Sequence, residues 1–291
     1  MTKNNNLQKA VIFSILSALS FSIMAFFVKK AAPFSHNNQV IFFRFSVSFL
    51  YILLVLGIRH LIKKPISLKT KYLKLHLLRA FFSLAGMMSF YYSLKFITLV
   101  NANVLIMTSP LFVAIIKVLY FKNKIKLTHW IVIFIGFIGI LFILKPGMEI
   151  FKQNSLYGLA SGIIIALAFI TIRKIGKHDN PTISMFYYFL LAFIISSIIS
   201  IFRWQPLDHS TIINLLLAGI TGTFYQEFLI RAFTYAPAKI VSSLLYISLI
   251  FSIFLGFIFF HNFPGVLSWI GIILVSFCSI FVVQAEKNSL K

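Results

Sequence analysis

The sequence predicts an all-α integral membrane protein: ten transmembrane helices in two inverted five-helix repeats, with both termini on the cytoplasmic side. Three observations predict it. First, the 291 residues are 60% hydrophobic and only 11% charged, with a mean hydropathy of +0.96. A soluble domain carries about a quarter of its residues as charges. Second, the apolar residues fall in runs close to the ~20 residues that cross a bilayer as a helix. Third, the ends of the two halves carry related patterns.

The spans are placed near 9–29, 39–58, 74–95, 99–120, 128–145, 155–173, 183–202, 211–232, 238–260 and 266–284. The first follows a basic start and lacks a small-x-small cleavage site, so it reads as a membrane helix rather than a signal peptide. WIVIFIGFIGILFILKPG (130–147) is apolar all round and does not alternate. That excludes barrel strands, the other structure whose backbone is satisfied in lipid. Paired glycines such as Gly158 and Gly162 suit close helix packing. The single cysteine, Cys278, leaves no intrachain disulfide and no cysteine metal cluster.

Charge sets the orientation. Basic clusters at Arg59–Lys74, Lys122–Lys126 and Arg173–Lys177 fall on the side of the N-terminus, and 18 Lys and Arg lie on that side against 6 on the other. The positive-inside rule then places both termini in the cytoplasm. The net charge of +22 accordingly reads as loops facing anionic lipid, not as a nucleic-acid surface.

The halves, 1–147 and 148–291, repeat weakly. YFKNKIKLTHWIVIFIGFIGILFI (120–143) aligns with FFHNFPGVLSWIGIILVSFCSIFV (259–282), pairing Trp130 with Trp269 and Asn123 with Asn262. KFITLVNANV (95–104) resembles RAFTYAPAKI (231–240). Five spans per half turn the second copy upside down. Such a plan supplies two near-equivalent packings, one open to each side of the membrane.

Ionisable groups in the spans are costly and mark pathways or partners. Arg44 lies about 8 Å below the outer surface at 1.5 Å per residue. Its guanidinium can hold a carboxylate bidentately, snorkel to headgroups, or pair with an acid. Glu227 is the one acid deep in a predicted span, beside Tyr225 and Gln226. It can take an ammonium or sulfonium, titrate as a coupling group, or pair with Arg231 one turn on. Arg79, five residues into the third span, is expected to snorkel. Tyr91, Tyr188 and Tyr246 can line a half-wet cavity or join an interfacial belt, and Tyr246 is too deep for a belt. Ser109 sits with Asn101, Asn103 and Thr108 in the fourth span, where Pro110 interrupts the hydrogen-bond ladder. The ninth span has Ser242, Ser243 and Ser248 in related places and no proline. The expected substrate-binding set is Arg44, Tyr91, Ser109, Tyr188, Gln226, Glu227 and Tyr246.

The seven histidines are scattered, and no HExxH, GxSxG or paired carboxylate is present, so an enzyme is not expected. Nothing calls for a metal or other cofactor. No ATP-binding segment appears, and a channel would need a continuous polar stripe in place of isolated polar points.

FFRF (42–45), LLRAFFSLAGMMSFYYSLKFITLVNANVLIMTSPLFVAII (77–116), the glycine-bearing 130–147 segment and its degenerate second copy occur in an order that resembles the EamA-type ten-helix family of the drug/metabolite transporter superfamily. HLLRAF…GMMSFYYSL (76–94) also looks like the branch that takes up S-adenosylmethionine. The resemblance implies a secondary transporter of the bacterial inner membrane working by alternating access. Its cargo would be a small zwitterionic or cationic metabolite, an amino acid or a derivative. S-adenosylmethionine is a narrower alternative and an amphiphile or lipid precursor a broader one. Partners would be that substrate, membrane lipids, and a coupling ion or counter-substrate, in a monomer or homodimer. One departure stands out. Members often carry a glutamate before the fifth and tenth spans, where this chain has Asn123 and Asn262.

Overall fold

The computed structural model describes residues 3–121, 127–144, 153–202, 204–237, 240–241, 244–261, 265–267, 269–271, 273–274 and 277–278. These residues are helical throughout apart from turns and connecting segments, and no strand occurs among them. The helices are α1 (Lys3–Ala31), α2 (Asn37–Leu61), α3 (Leu73–Phe96), α4 (Leu99–Ile106), α5 (Ser109–Phe121), α6 (Leu127–Leu144), α7 (Gln153–Ile175), α8 (Pro181–Ile201), α9 (His209–Tyr235) and α10 (Ile247–Phe260). Five described helices, including α2, α8 and α9, are long and apolar enough to cross a membrane. Leu54, Phe81 and Phe254 are more than half exposed, as expected where lipid rather than water is the solvent.

Local chemistry starts the helices where the sequence says. The Asn180 carboxamide accepts from the Thr182 backbone at 2.9 Å, with Pro181 at the first helical position. Asp208 caps α9 through the Thr211 backbone, and Thr98 caps α4 through Asn101. Lysine and arginine finish two of them. Lys29 donates to the carbonyls of Leu94 and Ile97 at the end of α3, at 2.8 and 2.7 Å. Arg173 donates to those of Phe233 and Thr234 at the end of α9.

These two caps are images of one another, and so is the packing. α1 runs along α9 as α7 runs along α3. α1 touches α10 as α7 touches α4 and α5, and α2 against α8 is its own image. Exchanging the halves leaves the pattern unchanged, as a two-fold pair of repeats requires. The Lys29 cap sits at the outer end and the Arg173 cap at the cytoplasmic end. Contacts fix the directions. Asn38 meets Ile199 while Phe45 meets Tyr188, so α2 and α8 are antiparallel. Arg44 meets Gly222 while Tyr51 meets Glu227, so α2 and α9 are parallel.

The fourth span is interrupted, as Pro110 predicts. α4 stops at Ile106, and α5 starts at Ser109 after a turn closed by Thr108 N donating to the Leu105 carbonyl at 3.1 Å. The ninth span departs from expectation. In place of one helix over 238–260 it turns at Leu245–Tyr246, where Ser248 N donates to the Leu245 carbonyl at 2.9 Å, and α10 follows. A proline is unnecessary there because tight i→i+3 bonds and the Ser22 hydroxyl, which donates to the Ser248 carbonyl at 2.8 Å, satisfy the backbone. Both breaks sit at corresponding places in the two halves. α7 packs closely on the first: a Cβ on Gly158 would meet Leu105, and one on Gly162 would lie 2.7 Å from the Leu105 carbonyl. The Asn123–Asn262 pair and Ser242 and Ser243 lie outside the described residues.

Candidate functional site

The centre of the molecule holds two arginines that solvent does not reach. Arg44 of α2 and Arg79 of α3 both have zero exposure. Arg44 spends every nitrogen on neutral partners. Its Nε donates to the Tyr91 hydroxyl at 3.0 Å, and its two terminal nitrogens to Ser48 Oγ and the Gly222 carbonyl, each at 2.8 Å. The close approach uses the bare Gly222, where a Cβ would stand 2.9 Å from Met24 Sδ and 3.0 Å from Arg44 Nε. Arg79 donates to the Ser184 carbonyl at 2.7 Å and to Gln226 Oε1 at 3.1 Å, and its Nε has no partner.

Aromatic rings join the pair. The Arg79 guanidinium lies 4.3 Å over the Tyr188 ring. Tyr188 meets Phe45 edge-on at 5.4 Å, and Arg44 lies 4.6 Å over Phe45. Tyr225, buried, meets Phe21 from the α9 side, its ring tilted at 54° with centroids 4.9 Å apart. Besides Arg79 Nε, the Tyr188 hydroxyl and the Ser184 hydroxyl lack hydrogen-bond partners. The buried Arg79 thus keeps one unspent donor, and two unspent hydroxyls belong to the α8 residues it touches.

Among the described residues no carboxylate joins them. The chain has five acids, and Glu227 is the one in a described span. Its carboxylate accepts from the Tyr51 hydroxyl and from Arg231, whose side chain is 47% exposed. So Glu227 is paired with Tyr51 and Arg231 and makes no bond to Arg44 or Arg79. Burying a cation costs several kcal/mol unless it is compensated, and the side chains here compensate Arg44 and Arg79 with neutral dipoles alone.

The sequence-predicted residues therefore divide. Arg44, Tyr91, Tyr188 and Gln226 come together around the two guanidiniums. Glu227 stands apart with Arg231. Tyr246 and Ser109 are buried at the two helix breaks, away from the arginines. Arg79 is a correction. It does not snorkel, because the cytoplasmic loops roof it. The Asp179 carboxylate accepts from Thr70 at 2.5 Å and pairs with His76 Nε2 at 2.8 Å, Tyr72 stacks on His178, and the Tyr187 hydroxyl donates to the Leu68 carbonyl at 2.9 Å. Partial burial pushes the Asp179 carboxyl up, but the bonds from Thr70 and His76 outweigh it and hold it below the usual carboxylate range. Two signals pointed to Arg79. It sits in the fully apolar LLRAFF, and the span acids cannot neutralise two arginines.

A family model described as the EamA-like transporter family matches residues 8–145 and 154–284. The S-adenosylmethionine uptake transporter of Rickettsia conorii is 27% identical over 276 residues, which is 95% of this chain and 92% of that protein. The riboflavin transporter of Vibrio cholerae is 27% identical over 80% of this chain and 77% of its own length. The pseudopaline exporter of Pseudomonas aeruginosa is 26% identical over 97% and 98%. A solved crystal structure superposes with a TM-score of 0.74 at 13% identity, over 98% of this chain and 99% of that one.

Proposed function

The chain belongs to the EamA-like transporter family, and on that premise we propose that it carries a small zwitterionic metabolite, an amino acid or a derivative, across the bacterial inner membrane by alternating access. The family makes it a transporter in a multi-pass membrane setting and not an enzyme. The cargo class rests on one observation: two fully buried arginines, bracketing Tyr188, with no acid beside them among the described residues. A cargo carboxylate supplies the missing negative charge. Arg79 receives it through its free Nε and a terminal nitrogen, in the fork geometry that suits a carboxylate. The rings of Tyr188 and Tyr225 support the apolar body. The unspent hydroxyls of Tyr188 and Ser184 complete the polar contacts.

The inverted halves give the movement. Halves that carry image caps, Lys29 at one end and Arg173 at the other, can adopt two near-equivalent packings. The site between them then opens to alternate sides.

S-adenosylmethionine is a second reading. It too carries a carboxylate, and its sulfonium is a cation that tyrosine faces attract. The relative from Rickettsia conorii bears that name.

The test is uptake of labelled amino acids and S-adenosylmethionine into proteoliposomes, with and without unlabelled compound inside. Saturable uptake stimulated from the inside establishes a carrier and names its cargo. Arg79→Gln is expected to raise the KM about 10- to 100-fold, the size of a lost charge-assisted hydrogen bond. Arg79→Lys should recover only part of it, since an ammonium lacks the fork. Transport of carboxylate-free cations with an unchanged KM in Arg79→Gln would overturn the assignment.

A further inference from the structure

We infer that two straps, residues 66–72 and 204–208, are the gates of the central site, one at each face of the membrane, and that both are shut in this structure. The gating role rests on the carrier reading above. The inner strap joins α2 to α3. Residues 64–70 form neither helix nor turn, and exposure alternates along the strap. Ile66, Leu68, Thr70 and Tyr72 are half-buried, while Ser67, Lys69 and Lys71 are exposed. A period of two is what a segment shows when one side lies on protein and the other faces out. What it lies on belongs to the other half. The Tyr187 hydroxyl donates to the Leu68 carbonyl at 2.9 Å, Asp179 accepts from Thr70 at 2.5 Å, and the His178 ring stacks on Tyr72 at 4.5 Å. His76, at the start of α3, closes the far end through Asp179 and the Tyr187 ring.

The outer strap is its image. Between α8 and α9, Trp204, Pro206 and Asp208 are exposed, and Gln205 and Leu207 are half-buried. Its hold is on the first half. Gln205 Nε2 donates to the Phe34 carbonyl, and the Gln205 carbonyl accepts from Gln39 Nε2, each at 2.7 Å. Phe34 lies in the α1–α2 connection and Gln39 in the first turn of α2. In the other half His178 and Asp179 lie in the α7–α8 connection and Tyr187 early in α8. Each strap thus leaves its own half and docks on the corresponding place in the other.

Position makes them gates. His76 stands three residues before Arg79, about 4.5 Å along α3, and Gln39 five before Arg44, about 7.5 Å along α2. α3 starts at the cytoplasmic face and α2 at the outer one. The inner strap therefore closes the path to Arg79 and the outer strap the path to Arg44, and both guanidiniums have zero exposure. Each strap is held by a few bonds at half-buried positions, the kind of segment that opens at low free energy. Releasing one while the other stays docked exposes the centre to one side at a time.

The test uses no cargo, so a wrong cargo class leaves it intact. One thiol reports on the centre: Ser184→Cys, beside Arg79, in the full-length protein carrying Cys278→Ser. Its modification by a membrane-impermeant anionic methanethiosulfonate is timed in right-side-out and in inverted membrane vesicles. Asp179→Ala should speed the reaction from the cytoplasmic face about tenfold or more, the size of a lost charge-assisted hydrogen bond, and leave the outer face no faster. Thr70→Val and Tyr187→Phe, gentler changes that each remove one bond and keep the packing, should act in the same direction. Gln39→Glu keeps the oxygen that accepts from His36 N but loses the donor to Gln205, and should speed the reaction from the outer face alone. An unchanged cytoplasmic rate in all three inner variants would overturn the inner gate, and so would an equal rise from both faces. An unchanged outer rate in Gln39→Glu would overturn the outer one.

Discussion

Single side chains decide what this centre can recognise. Arg44 and Arg79 are both buried, yet they differ. Arg44 is saturated by Tyr91, Ser48 and Gly222 and acts as a fixed positive field. Arg79 keeps Nε unspent and is the group proposed to contact cargo. Glu227 belongs to a different class. Its partner Arg231 is nearly half exposed, and pairs of that kind contribute little. Glu227→Gln is therefore expected to change cargo KM by less than about fivefold in proteoliposome uptake. A rise of tenfold or more would place the carboxylate at the cargo.

At the scale of elements, the interrupted spans and the glycines that receive them are the features with measurable consequences. α7 reaches the α4–α5 break only because Gly158 and Gly162 have no side chain there. Gly162→Ala drives a methyl into the Leu105 carbonyl and the Thr108 hydroxyl, neither of which can withdraw while the break keeps its shape. The expected loss is about 1–3 kcal/mol, the usual cost of overpacking, read as a lower thermal midpoint. Gly57 on α2 is the control. A Cβ there meets nothing within 4 Å, so Gly57→Ala should stabilise by up to about 1 kcal/mol through helix propensity. Equal effects at the two positions would mean that α7 does not bear on the break.

At the scale of the molecule, the two ends are tied by different chemistry, and of the Asp179 and Lys29 ties only the first joins the halves. On the cytoplasmic side Asp179 ties the α7–α8 turn to His76 and to Thr70 of the α2–α3 loop. Its folded-state pKa lies below the ordinary value, so its contribution is fully present above about pH 4 and is lost as pH falls through the folded value. Asp179→Asn should lower the thermal midpoint at neutral pH, and the gap to wild type should close in strong acid. A gap independent of pH would show that the carboxylate's charge plays no part in the closure. The outer side has no acid in the corresponding role among the described residues; Lys29 holds the end of α3 there through carbonyls, whose acceptors do not titrate.

The sequence by itself determined the membrane class, the helical spans and the kinship of the two halves. These follow from hydrophobic length, from basic loops and from residues repeated in order, all of which are local or periodic. It also singled out Arg44, Tyr91, Tyr188 and Gln226, because polar groups in apolar spans are conspicuous on their own. Only the tertiary structure decided which of them meet. Arg79 sits a few residues inside α3, where snorkelling and burial look alike in one dimension, and the choice falls to the roof built by Thr70, His76 and Asp179 from distant parts of the chain. The break in the ninth span was equally hidden, since no proline marks it and its support comes from Ser22, 226 residues away. Glu227 was conspicuous for the same reason as Arg44, but its partner Tyr51 lies on another helix 176 residues away. Such pairings depend on which helix faces are brought together, and a single apolar run carries no record of its neighbours.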